Sequence, residues 1–366
     1  MRDEKSKYEL IGRGVEHLKI KRKKSMKSKC LEVGIILSFI GTGNILSLAQ
    51  NTQKPLPISS NNWLYVGGSG SGNYTKIQDA INASSNGDTV FVLNGIYYEN
   101  VRVDKSITLL GENQTATIID GQEQNGHLIS IIAPGVTVSG FTIRNCGGIP
   151  NAAEIHVNSD NNKIIGNTFI CSTLNSEEGI WVWQSSGTTI SGNTITSHLY
   201  GIWFENCTNN NITHNYISTA TEWGIVLGNS ERNNIYENSM TDNRGGIYLR
   251  DSNRNMLFGN NITKNTKGVA LVDSISSSSN NTILKNNFMK NRQFDASFSL
   301  AKKSHTKNLW EGNYWNRPLR LPKLILGYKE FLSIPGIPFH FPGIVISLPW
   351  LTVDLHPAQK PYDIPL

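Results

Sequence analysis

Across residues 154–291 the chain alternates apolar and polar positions in short runs, and the runs recur. Gly179-Ile-Trp-Val, Gly201-Ile-Trp-Phe, Gly224-Ile-Val-Leu, Gly246-Ile-Tyr-Leu and Gly268-Val-Ala-Leu begin alike, at spacings of 22, 23, 22 and 22. A second column keeps step with the first: Asn167, Asn193, Asn215, Asn238, Asn260 and Asn286. Each of these has an apolar residue three before it, from Ile164 to Ile283, and another two after it, from Phe169 to Phe288. Within a unit the apolar pattern has period two, and the runs are separated by Asn, Gly, Ser and Thr, which predicts short strands and no helix. About 22 residues suffice for one turn of three strands, each hydrogen-bonded to the next turn about 4.8 Å away. The expected fold is all-β, a single-stranded parallel β-helix.

Alternation also assigns faces. Ile180, Val182, Ile202, Phe204, Ile225 and Leu227 point inward, while Trp181, Trp183, Trp203, Glu205, Tyr248 and Arg250 point out. The Asn column reads as architecture, because Asn tolerates left-handed backbone angles at a bend and its amide can bond the Asn above and below. Upstream, Trp63-Leu-Tyr-Val predicts a first strand. A short helix follows, with Thr75 and Gln78 at capping-box spacing, Ile77, Ala80 and Ile81 on one face, and Asn86-Gly87 as its stop. Such a helix is a lid for the apolar open end of the coil.

Residues 87–93, 95–101, 105–112 and 117–121 resemble the opening of the pectin-lyase-like right-handed β-helix proteins. Continued by residues 140–143 and the Gly and Asn columns, the chain is similar to the NosD-type family over roughly residues 74–316, and residues 308–315 resemble that family's closing motif. The resemblance implies right-handed coils and an association with carbohydrate-binding and sugar-hydrolase domains. It does not choose an activity, since the fold hosts lyases, hydrolases, epimerases and non-catalytic surface proteins. It also suggests copper, which requires clustered His, Met or Cys. His127, His156, His198, His214, His305, His340 and His356 are scattered, with no two expected in one repeat column.

The ends are read separately: residues 1–49 as a secretory signal or membrane anchor, 50–72 as a linker, 73–316 as the capped β-helix, and 317–366 as an extended, Pro-rich capping arm. Residues 1–30 hold 11 Lys/Arg against 4 Asp/Glu, whereas residues 50–366 hold 23 of each. The net charge of +6 therefore belongs to the leader, and nucleic-acid binding is not expected. A basic flank, an apolar run over residues 31–48 and Ser47-Leu48-Ala49 predict export with cleavage after Ala49, or an uncleaved anchor attaching the chain to a membrane. Cys146 and Cys171, about one coil apart, are candidates for a disulfide or for buried thiols. Asn-x-Ser/Thr sequons at Asn73, Asn82, Asn113, Asn206, Asn211, Asn261 and Asn280 follow from a composition rich in Asn and Thr.

The outward column His156, Trp181, Trp203, Val226, Tyr248, Ala270 is the most distinctive surface feature. Trp183, Glu205 and Arg250 stand beside it, with His198, Tyr200, Glu222 and Trp223 on the approach turns. In-register aromatics edged with polar groups suit the C–H faces of sugars, which predicts a polysaccharide partner. The alternative is that these rings stack on one another or lie beneath the Pro-rich arm. For an enzyme, the candidates are Asp251 and Asp273 on successive coils, close enough to share a proton or a calcium ion, with Arg254 and Arg232 nearby. Gln184, Asn206 and Asn229 continue that column, which makes a turn ladder the competing reading. Glu177-Glu178 reads as a solvated turn. The expected protein is an exported, non-catalytic polysaccharide binder that requires no cofactor, with calcium possible. The alternatives are a polysaccharide lyase, hydrolase or epimerase, and a NosD-like periplasmic metal-delivery accessory protein.

Overall fold

The computed structural model describes residues 62–123, 126–147, 152–171, 177–300, 308–334 and 344–364. The leader and its expected cleavage site lie outside the described residues. Each coil of a right-handed parallel solenoid of about ten turns gives one strand to each of three stacks. The first stack holds the longest strands, among them Glu177–Trp183, Tyr200–Glu205, Trp223–Gly228, Gly245–Arg250, Lys267–Val272 and Phe294–Leu300. Thr189–Ser191 and Asn211–Thr213 are typical of the second, and Thr194–Thr196 and Tyr216–Ser218 of the third, a ten-stranded sheet.

The apolar columns fall in register. Ile180 stands opposite Ile202, Ile202 opposite Ile225 and Ile225 opposite Ile247 in the first stack. Ile195, Ile217, Met240, Ile262 and Phe288 do the same in the third. All of them are buried. Each side chain gains roughly 2 kcal/mol from leaving water, but only because a neighbouring coil covers it, so the core is continuous along the stack. The repeating Gly is explained by the same closeness: a Cβ on Gly201 would come 2.6 Å from the carbonyl oxygen of Gly224 on the next coil.

The Asn column is fully buried, but it is not where the chain turns left-handed. Positive φ falls one residue earlier, at Gly166, Gly192, His214, Glu237, Gly259 and Lys285. That residue makes the corner, and the Asn after it is selected for its amide. Asn215 accepts from the backbone N–H and side-chain Nδ2 of Asn193, and its own Nδ2 donates to Asn238 Oδ1 and to Ile190 O. Two further ladders run at other corners, through Asn210, Asn233, Asn255 and Asn281, and through Asn243, Asn265 and Asn291. The N–H and C=O groups that a parallel coil leaves at its bends are thus paired inside the protein.

Both ends differ from expectation. The helix is Ile77–Ala83, and Ser84 rather than Asn86-Gly87 follows it. Thr75 and Gln78 form no capping box; Glu99 accepts from the N–H groups of Ile77 and Gln78 instead, because a carboxylate on the neighbouring coil reaches both free donors at once. The strand expected at Trp63–Val66 is present and pairs with Thr89–Val92, opening the second stack. At the other end the Pro-rich arm is an antiparallel hairpin of Lys323–Ile334 and Ile344–Asp354. Its first strand continues the first stack beyond Phe294–Leu300, and Asp354 pairs with Trp310 of the second stack. Asp354 is fully buried and ends the main Asn ladder, accepting from Asn313 N, Asn313 Nδ2 and Trp315 Nε1. A carboxylate suits that terminal place, since it offers only acceptors and no further coil has to be served.

Candidate functional site

The outward side of the first stack carries the aromatic column. His156 lies opposite Trp181, Trp181 opposite Trp203, and Trp203 opposite Val226, which in turn faces Tyr248. The rings contact one another along the axis. Trp181 stacks on Trp203 with centroids 6.0 Å apart and packs edge-on against Trp183, the two planes at 87°. Tyr200 meets Trp203 edge to face at 5.2 Å. Trp223 stacks on Tyr248 at 5.1 Å, with the Lys267 ammonium above the indole. All of these rings are half-buried. Val226 and Ala270, which share the column, are buried, so the strip is broken into two aromatic groups.

Between the two groups lies a polar hub. Glu205 is outward by register but almost covered, because three donors converge on its carboxylate. Asn229 Nδ2 donates to Oε1 at 2.7 Å, and Arg250 Nη2 and Trp203 Nε1 donate to Oε2 at 2.9 and 3.2 Å. Arg250 spans two coils to reach it, which Gly228 between them permits: a Cβ there would come 2.1 Å from Glu205 Oε2. The guanidinium stays partly open to solvent, so the pair presents a fixed fork of donors beside Trp183, which is in register with Glu205.

Several expected site residues do not join this surface. His198 is buried, its Nε2 3.2 Å from Glu154 Oε2 in the interior. Glu178 is likewise buried and not a solvated turn. Asp251 and Asp273 are held by backbone: Asp251 Oδ1 accepts from the N–H groups of Ser274, Ile275 and Ser276, and Asp273 Oδ1 from that of Ser278. Arg232 and Arg254 both pair with Glu231 and do not neutralise the Asp pair. Cys146, Cys171 and Cys207 are buried thiols, and burial pushes Cys207 up to about 12.

One grouping escaped the repeat count. His127 stacks on His156 with centroids 4.2 Å apart and planes at 16°, and both touch Trp181. Two histidines therefore do come together, because the coils here exceed 22 residues and His127 falls out of the period. Burial holds His127 below its usual range and, with His127 as neighbour, lowers His156 to about 4. Ala153 N–H donates to His127 Nδ1, so the neutral ring carries its proton on Nε2.

Fold and surface together define a right-handed parallel β-helix with an outward aromatic strip on its longest strands. The chain belongs to the family described as periplasmic copper-binding protein (NosD), whose pattern matches residues 81–319. Among curated proteins none matches it. It is similar to the mannuronan C-5 epimerase A-module of Azotobacter vinelandii at 14% identity and TM-score 0.43, covering 61% of this chain and 76% of that one. It is also similar to the ORF18 protein of Geobacillus virus E2 at 13% identity and TM-score 0.46, over 69% of this chain and 56% of that one. For the Aspergillus niger pectin methylesterase the values are 14% and 0.35, over 65% and 90%.

The described side chains do not fit a resident copper centre. Among them no three His, Cys, Asp or Glu groups stand together as metal ligands. A metal ion lies in the plane of the imidazole that binds it, about 2 Å from the nitrogen. Two rings stacked in nearly parallel planes 4.2 Å apart cannot meet on one ion, and Nδ1 of His127 already takes a backbone N–H.

Proposed function

We propose that this protein is exported and binds an extended glycan along the outward face of the first stack without transforming it. The observation that carries the reading is the set Trp183, Glu205 and Arg250 beside Trp181 and Trp203: indoles at right angles to each other next to a fixed carboxylate–guanidinium pair, all on rigid strands. Indole surface accepts the C–H side of a pyranose, and the fork hydrogen-bonds its hydroxyl rim. The carboxylate on this face is tied to three donors, which suits positioning more than proton transfer. The family's description as periplasmic and the signal-like leader support export.

The test is a titration of the purified protein with neutral and uronic oligosaccharides of increasing length, monitored by calorimetry and by assays for released reducing ends and unsaturated sugars. Affinity is expected to rise with chain length and no product to form. Trp183→Ala combined with Trp203→Ala should weaken binding about tenfold or more with the circular dichroism unchanged. Absence of binding across the panel overturns the proposal, and product release replaces it with the enzyme reading.

A further inference from the structure

We propose that the ligand of the aromatic strip is a neutral glycan, its sugars free of carboxylate, sulfate or phosphate. This inference rests on the glycan reading above and names the class of sugar. The ionised side chains around Trp203 are answered within the protein. Glu205 is bound by Arg250, and Glu222 on the approach turn by Arg244. At the opposite turn Glu231 takes both Arg232 and Arg254. Arg244, Arg250 and Arg254 each reach back from one or two coils further on, so the positive charge of those coils is drawn onto acids of the earlier ones. His127 and His156, at the other end of the first aromatic group, are held neutral by burial.

The balance of charge along the coils points the same way. Residues 154–241, which hold Trp181, Trp183, Trp203 and Trp223, carry 2 Lys/Arg against 8 Asp/Glu, whereas residues 242–300 carry 8 against 4. A polyanion laid along the strip would bring a negative charge on every sugar against coils that are themselves acidic, and its carboxylates would have to compete with Glu205 for the Arg250 guanidinium. Cations outside the pairs stand at the ends of the face. Arg102 is two coils before His156 in the same column, and Lys264, Lys290 and Arg292 are exposed at corners after the Tyr248 coil. Lys267 is nearer, but its ammonium lies over the Trp223 indole. A rim of hydroxyls asks for no charge. It needs donors and acceptors in fixed places, and the Glu205–Arg250 pair, with Asn229 and Trp203 attached, supplies both while remaining neutral as a unit.

Hexamers of glucose, mannose and galactose, and the same hexamers with their primary hydroxyls oxidised to carboxylates, separate charge from stereochemistry. In calorimetric titrations of the purified protein at low ionic strength, the neutral member of at least one pair should bind about tenfold more tightly than its oxidised form. Its own affinity should not move with salt, while the gap between the two should shrink as added salt screens the repulsion. Glu205→Gln leaves the Arg250 charge without its partner and should raise the affinity for the oxidised hexamer about fivefold. Equal or tighter binding of the oxidised forms by the unmodified protein overturns the proposal and leaves the glycan reading standing. A preference for the neutral forms that salt does not alter also overturns it, because shape and not charge would then be choosing. If neither form of any hexamer binds, the glycan reading itself fails, and this inference with it.

Discussion

The buried Asn ladder and the outward aromatic strip are both columns that advance one place per coil, yet they obey different rules. Along the ladder the residue hardly changes, because each amide must serve the coil before it and the coil after it with no water to help. Along the strip the residue changes at nearly every step: His156, Trp181, Trp203, Val226, Tyr248, Ala270. A column facing solvent has only to avoid a clash, so its composition is free to follow another demand. In a solenoid, uniformity therefore marks architecture, and in-register variety marks the surface where recognition is sought.

The buried columns, apolar and Asn alike, should break first. Ile217→Asp would place a charge between Ile195 and Met240, inside the stack, and should cost about 4 kcal/mol or more. Asn238→Ala removes the acceptor of Asn215 N and the donor to Ile212 O, both buried, and should cost about 3 kcal/mol. Urea unfolding measures both. Midpoints equal to the unmodified protein would mean that these columns are not what holds adjacent coils together.

The end of the ladder sharpens the same point. Asp354→Asn keeps shape and size but puts an NH₂ among groups that all donate, including Gly312 N and His356 N. It should cost about 2 kcal/mol, less than the mid-ladder change, since only one coil depends on it. A neutral outcome in urea unfolding would show that the terminal place does not require a pure acceptor.

The coils and their inward columns were legible because burial imposes a strict period of two within each strand and about 22 between them. The further ladders were legible in principle: Asn233, Asn255 and Asn281 each stand five residues before a member of the main column, and Asn243, Asn265 and Asn291 five after one. What the sequence could not show depends on contacts across coils of unequal length. His127 meets His156 over a long coil, Glu99 caps a helix 22 residues away, and the Glu205 hub draws Arg250 from two coils on. The displacement of His198 from the surface has the same origin, since Glu154 occupies the Gly place of the repeat and meets it in the interior.

Within the strip, His156 gives the next largest effect, because partial burial and the neighbouring His127 disfavour its protonated form. The unfolded chain takes up this proton near 6.5, whereas the folded protein resists until about 4. Between those values the unfolded state binds more protons, so stability is complete above about 6.5 and is lost as the pH falls toward 4. For a half-buried ring the loss should be about 2 kcal/mol. His156→Gln should flatten this part of the stability–pH profile in urea titrations. A slope that survives the substitution would assign the effect to His127 or to another group.

The smallest effect is expected at Trp183, a half-buried ring of the strip. Trp183 meets Trp181 edge-on and lies beside the Glu205–Arg250 pair without hydrogen-bonding to it. Trp183→Ala therefore removes one ring contact and part of one buried face, and should lower stability by about 1 kcal/mol or less. On the proposed glycan reading its cost is expected to appear in affinity instead, which would separate the two columns: a ladder residue stabilises the coil, and a strip residue contributes little to stability. Thermal melting and calorimetric titration of the single variant measure the two quantities side by side. A loss of stability as large as that of Asn238→Ala, with affinity unchanged, would place Trp183 with the ladder as a structural residue and move the glycan to a different face.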